Sequence, residues 1–455
     1  MFRKKDPEAQ ASLWVAASEM PTSPASSFYQ RLDRALEASG FGDTVRELCA
    51  PYYEMDRTRG GRPGIDPAVY FKMQMVGFFE GIGSERGIAA RCADSISIRQ
   101  FLHYELHEST PDHSSLSVIR NRLGPEVFEQ VFELILKALR DHKLLRGRTL
   151  GIDASVMEAN ASLRTLEHRL SGEDYRTYVT SLAEAAGVDT TDPAAVRRFD
   201  RNRPGRKTSN EDWQNPHDPD AKVGRTKRGT TRMIYKPEHV VDLETGAIVD
   251  ADVRPGDEHD TAELTERVLE AEARVNRVLD EEAETQAAER VDVVVADKGY
   301  FKLDEVWQLQ EVGIETVISD PHRTRRTDRL SEPERQALEA ARAATTSEAG
   351  RRCTRLRQEL VERGFQHVLD CGGARRTTLR GRENIRKRYL VQAACANLSL
   401  LMRHLVGVGT PRQALAGPNR LISSLICLVF QLLALVSARR RDPMIFGLEL
   451  ARIRS

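Results

Sequence analysis

Residues 291–301 read VDVVVADKGYF, and the fold turns on them. Val291 to Ala296 is a β-branched run of the kind that forms a strand buried on both faces. Asp297 stands at its exit, and Gly299 lets the chain turn at once. A second short strand is expected upstream at Thr149 to Ser155 (TLGIDAS), where the pattern changes at Arg148 from helical to strand-like and an acid, Asp153, is again included. Between the two, His239–Leu243 and Ala247–Val253 flank the turn Glu244-Thr245-Gly246 and read as a hairpin. Thr261–Arg290 reads as a long helix, Asp304–Glu311 as another, and Thr316–Ser319 as a last short strand. Antiparallel strands first, then strands alternating with helices, predict an α/β fold around a mixed sheet.

Outward from this core the sequence changes character. Residues 25–147 read as an all-α N-terminal domain. Pro67–Glu80 (PAVYFKMQMVGFFE) follows a cap at Asp66, and Ser115–Leu145 gives two amphipathic helices parted by Gly124 and Pro125. Its short helices, tight turns and arginines, among them Arg120 and Arg122, suit either helix-turn-helix binding of DNA or an all-helical dimerisation module. The core domain is placed at 148–405, with polar insertions at about 162–220 and 322–350. Within it Arg351–Phe365 and Glu383–His404 are expected helices. Residues 1–24 are expected to be a flexible N-terminus, and 406–455 a linker and an apolar C-terminal helix. The apolar run Leu421–Val436 falls short of the roughly 20 residues a membrane span needs, so a packing or oligomerisation helix is the expectation.

The 455 residues carry 68 Lys and Arg against 68 Asp and Glu, so the balance of charge says nothing about partners. Its distribution does. Arg197–Lys236 holds about a dozen cations against five acids, whereas Glu258–Glu289 is acidic. The six cysteines are scattered without CxxC or zinc spacing, and no signal-like apolar segment opens the chain; a reduced, cytoplasmic protein is expected.

Asp153 and Asp297, each on a strand of one sheet, can converge despite their separation in sequence. Phosphodiester chemistry uses that arrangement, because hard Mg²⁺ takes oxygen ligands and paired ions activate the attacking oxygen and stabilise the leaving one. A strand-end Asp is also a common turn former. Asp292 and Asp320 compete for the second position, but Asp292 enters its strand and Asp320 precedes Pro321. Glu362 is the best third acid, with Glu359 and Glu383 as alternatives. Lys298 and Tyr300 flank Asp297 and are candidate DNA contacts. So are Arg380, Arg386 and Lys387, in the densest basic cluster of the chain.

Five blocks in order, GIDASVMEANAS, HVVDLETGAIVDADVRPGDEHDT, VVVADKGYF, RLRQELVERGFQHV and LRGRENIRKRYLVQAACANLSLLMR, resemble bacterial insertion-sequence transposases of the DDE superfamily. RGGRPGIDPAVYFKMQMVGFFEGIGSERGIAARC and PDHSSLSVIRNRL resemble the helical N-terminal domain of that family. The resemblance implies a ribonuclease-H-like core with helical insertions, and Mg²⁺ (or Mn²⁺) held by Asp153, Asp297 and Glu362. Its implied partners are double-stranded DNA, as element terminal repeats and target, and a second copy of the chain in a homodimer on DNA; no membrane is implied. The chain departs from the family in one place: a Tyr/Arg/Glu/Lys signature would put Arg and Lys where Gln358 and Leu369 stand. An inactive relative that only occupies DNA is the rival expectation.

Overall fold

The computed structural model describes residues 24–53, 64–204, 209–226, 229–258, 263–279, 291–322 and 330–416. The chain divides into two units, Gln30–Gly409 and a second that joins Met1–Tyr29 with Thr410–Ser455. Of the second unit only 24–29 and 410–416 are described. The apolar run 421–436 and most of the expected flexible N-terminus lie outside the described residues.

Among the described residues seven helices come first: α1 (Pro24–Ala38), α2 (Phe41–Tyr53), α3 (Pro67–Glu80), α4 (Glu85–Asp94), α5 (Ile96–Phe101), α6 (His113–Arg122) and α7 (Pro125–Asp141). The expected cap of α3 is present. Asp66 accepts from the Ala68 amide at 2.8 Å, Pro67 fills the first helical position, and Gly81 at φ 71° ends the helix in the left-handed region. Pro125 starts α7, as its sequence predicts.

The sheet follows. Its strands are β1 (Thr149–Ala154), β2 (Met157–Glu158), β3 (Glu167–His168), β4 (Trp213–Gln214), β5 (Lys222–Arg225), β6 (Thr231–Asp242), β7 (Ile248–Pro255), β8 (Val293–Ala296) and β9 (Glu315–Ile318). β3 and β4 form a separate pair. In the main sheet β6 lies antiparallel to both β7 and β1, and β1, β8 and β9 run parallel. The body order is therefore β7-β6-β1-β8-β9, a mixed sheet of the ribonuclease-H-like kind. β8 sits between two parallel neighbours, and for that reason its sequence is an unbroken run of Val and Ala.

The remaining helices are α8 (Tyr175–Ala185), α9 (Pro193–Asn202), α10 (Leu264–Leu279), α11 (Leu303–Glu311), α12 (Glu332–Thr346), α13 (Glu348–Phe365), α14 (Arg382–Val406) and, in the second unit, α15 (Pro411–Leu415). α8, α9 and the β3-β4 pair occupy the region expected to be the first insertion. The segment read as a second polar insertion contains a helix, α12, which turns Ala337, Leu338 and Ala341 inward against β9 and α11. Small alanines make that apolar stripe thin, so composition hid it.

α14 holds the layers together. It buries Leu390, Val391, Ala394, Leu398 and Leu401 and packs on α7, α3 and β7. Its apolar length would suffice to cross a membrane, but it is used up inside the protein. Asn397 of α14 accepts from the Ile248 amide and donates to the Ile248 carbonyl, which satisfies backbone groups at the edge strand β7. Because α14 needs cover on several faces, the helices between residues 30 and 409 and the sheet form one unit.

Candidate active site

Parallel pairing sets the two aspartates level. β1 and β8 match Thr149 with Val293, Leu150 with Val294 and Gly151 with Val295. Two residues further along this register come Asp153 and Asp297, at the same end of adjacent strands. Asp297 leaves the sheet as the cap of the short turn Lys298–Tyr300, its Oδ1 accepting from the Lys298 amide at 2.8 Å. Asp153 remains in β1, opposite His239 of β6. Burial raises the Asp153 carboxyl above the usual range, the Asp297 charge raises it further, and Arg357 works against both.

Arg357 comes from α13. Its Nη1 meets Asp153 Oδ2 at 2.8 Å, and its side chain is 7 % exposed. Gly151 makes this reach possible: a Cβ there would lie 3.2 Å from the Arg357 Cγ and 2.6 Å from Leu243. Arg357, Val361 and Phe365 form the inward face of α13. Glu362, about 100° round the helix from Val361, is exposed, and its carboxylate has no partner among the described residues. The structure thus brings Asp153 and Asp297 together and gives Glu362 no contact with either. The alternative third acids are occupied, Glu359 by Arg363 and Glu383 by Lys387 at 2.6 Å.

A donor set of two carboxylates on neighbouring strands, one of them reluctant to ionise unless a cation is near, fits a hard divalent ion. Arg357 supplies part of that positive charge. Among the described residues, the one group of acids and histidines whose ligand atoms already lie close together is elsewhere, at Asp33, Glu37 and His103. There Lys72 bonds Asp33 at 2.6 Å, so the charge is met by an ammonium.

His239 ties α13 to the strand beside Asp153. Its ring stacks on Phe365, three residues past Glu362, with centroids 4.2 Å apart and planes 8° from parallel. His239 Nε2 and the Tyr389 hydroxyl share a hydrogen bond of 2.7 Å, while Nδ1 is buried without a partner. Burial alone pushes the imidazole down to about 3. The unfolded chain therefore takes up a proton near pH 6.5 that the folded protein refuses, and stability contributed above that pH is lost as pH falls. By pH 5 the loss from His239 is expected to reach about 2 kcal/mol. Urea midpoints of wild type and His239→Phe between pH 7 and 5 check this; equal slopes would exclude it.

The opposite face of the hairpin carries a charge network that no sequence motif announced. Glu238 of β6 with Asp250, Asp252 and Arg254 of β7 are all buried. Arg254 meets Glu238 at 2.8 Å, and Arg267 of α10 reaches Asp250 at 2.9 Å and Asp252 at 2.8 Å. Alternation along β7, with acids at 250 and 252 and a cation at 254, was the available signal. Tyr300 joins the network to the active site: its hydroxyl donates to Glu238 Oε1 at 2.7 Å, anchoring the turn that begins at Asp297.

The expected DNA contacts separate into two groups. Arg386 pairs with Asp252 and Glu129, each at 2.7 Å. Lys387 is 3 % exposed, and Arg120 is buried against Glu85 and Asn384. Lys387, Arg120 and Tyr300 are thus engaged inside the protein, and Arg386 is paired with acids while 26 % of its side chain stays exposed. Lys298, Arg380 and Arg122 are exposed, Arg122 lying over the Tyr53 ring.

The family described as "Transposase domain (DUF772)" matches residues 19–122, and the family described as "Transposase DDE domain" matches residues 204–398. The second match contains Asp297 and Glu362, and Asp153 lies between the two. No curated protein and no solved structure matches the chain.

Proposed function

The chain belongs to the DDE transposases of insertion sequences, and we propose that it cuts DNA at the ends of such an element and joins the freed 3′-hydroxyl to target DNA. The reading rests on one observation, the level placement of Asp153 and Asp297 at the ends of neighbouring parallel strands. These two acids would hold the divalent metal, Mg²⁺ or Mn²⁺, with Glu362 as the third ligand. The metal supplies activation of an attacking oxygen and relief of charge on the leaving one. Arg357 favours the charged form of Asp153 against its burial and aims the carboxylate. Phe365, stacked on His239, fixes the helix from which Glu362 projects. The Tyr300 bond to Glu238 holds the Asp297 turn, and the exposed Lys298 beside it, with Arg380 and Arg122, grips phosphates. Two ends must be held at once, so the working form is a homodimer on DNA, acting in the cytoplasm.

The test is strand cleavage of DNA bearing the sequences that flank this reading frame. Nicking in Mg²⁺ or Mn²⁺ that stops in chelator is the expected result. DNA binding without nicking in either metal would overturn the reading in favour of an inactive relative that only occupies DNA.

A further inference from the structure

A cavity of about 700 Å³ opens where β2, the first residues of β6 and the segment 375–380 meet. Four arginines line it, Arg164, Arg232, Arg376 and Arg380, against one acid, Glu158. Arg164, Arg232 and Arg376 are exposed and have no carboxylate partner among the described residues. Arg380 Nε donates to the Asn160 carbonyl at 3.2 Å, which turns its guanidinium along the wall.

The walls are fixed by backbone pairing. The Glu158 amide donates to the Arg375 carbonyl and the Thr377 amide to the Glu158 carbonyl, both at 2.9 Å, so the segment bearing Arg376 is pinned to β2. Asn215 is fully buried and donates to the Ser162 carbonyl and to Thr165 Oγ1, each at 2.9 Å, which secures the loop that carries Arg164. Four guanidiniums on three braced segments make a preformed anion site, and the forked donors of arginine suit phosphate oxygens. No Phe, Tyr or Trp lines the cavity. His217 is the one ring in its lining, so cationic forks predominate and the cavity suits a sugar-phosphate backbone rather than base readout.

Its position sets which phosphates it meets. β6 runs from Arg232 and Met233 at the cavity to His239, the partner of Asp153. Six strand residues at about 3.3 Å each span about 20 Å, and a DNA strand advances about 3.4 Å per nucleotide. We propose that this arginine-lined cavity is a second DNA-backbone site that holds one strand, whatever its sequence, about six nucleotides from the phosphate cut at Asp153 and Asp297. The proposal rests on the DNA-cleaving function above and adds to it where the substrate is held.

The test uses the full chain in chelator with fluorescently labelled duplex DNA of two unrelated sequences, and reads the dissociation constant against salt. Each phosphate contact adds about 0.9 to the slope of log affinity on log salt. Arg232→Gln with Arg376→Gln is expected to lower that slope by about 2 on both sequences, while Arg232→Lys with Arg376→Lys retains it. Both pairs are exposed, and unchanged thermal midpoints will separate lost contacts from lost folding. If the wild type binds and cleaves but the glutamine pair keeps the full slope, the second site is wrong and the transposase reading stands. If the wild type shows no salt-dependent binding to either DNA, both fall.

Discussion

Asp153→Asn and Asp297→Asn are each expected to lower metal-dependent strand cleavage by at least about a thousandfold, some 4 kcal/mol of transition-state stabilisation, with DNA binding in chelator unchanged. Asparagine keeps the shape of the side chain and an oxygen for the Arg357 bond, so what is removed is charge. Metal dependence gives a second readout. A divalent ion at a hundred times its dissociation constant stabilises a folded protein by about 2.7 kcal/mol, so Mg²⁺ or Mn²⁺ is expected to raise the melting temperature of the wild type and not of the variants. The sign for the metal-free protein follows from the raised Asp153 carboxyl. A group raised on folding contributes stability below its unfolded pKa and loses it as pH rises through the folded one. Above that folded value the ionised Asp153 is a cost, which Arg357 offsets in part, and Asp153→Asn leaves that buried guanidinium without its counter-charge. Glu362→Gln is expected to join these variants in lost cleavage. Glu359→Gln and Glu383→Gln are not, since those acids are already paired with Arg363 and Lys387. Cleavage at wild-type rates by either aspartate variant would remove the metal site from the mechanism.

The residues that could be read in advance are those whose role is set by near neighbours. Val293–Ala296 is a strand between parallel strands because it is apolar without alternation, and Asp66 caps α3 because its side chain meets an amide two residues on. Asp297 stands at a strand exit for the same local reason, and Asp153 near the end of β1. What the sequence hid depends on distant partners. Arg386 and Lys387 sit in a run of cations that reads as a DNA-contacting surface, yet Arg386 pairs with Asp252 and Glu129 from elements distant in sequence, and Lys387 is buried over the Phe128 ring. Arg357 is one arginine of several on a polar helix, and only its path over Gly151 singles it out. His239 is one letter in a β-branched strand until Phe365 and Tyr389 close on it. The neutral total charge concealed how much of it is internal.

That internal charge predicts the largest stability effect. Arg267→Met is expected to cost about 3–5 kcal/mol at pH 7, the range for removing one partner from a buried ionic group and a large part of the roughly 5–15 kcal/mol that holds a domain folded. One guanidinium there faces three buried acids: Asp250 at 2.9 Å, Asp252 at 2.8 Å and Glu238 at 3.4 Å. The acids are not equal. Burial dominates at Glu238 and raises its carboxyl despite Arg254, whereas at Asp252 burial is outweighed by Arg267, Arg386 and Arg382, and the carboxyl is lowered. A lowered carboxyl contributes stability above its unfolded pKa that is lost as pH falls through the folded one. Losing Arg267 raises all three acids, so the variant is penalised at neutral pH and relieved when they protonate. The gap between wild type and Arg267→Met should therefore narrow from pH 7 towards pH 4, read from guanidinium chloride midpoints; a gap below about 1 kcal/mol at pH 7, or one that widens in acid, would contradict this account. Arg267→Lys should rescue little, because one ammonium cannot replace a planar fork shared among several carboxylates. Since Glu238 also accepts from Tyr300, the same substitution should loosen the Asp297 turn and lower cleavage even in molecules that remain folded.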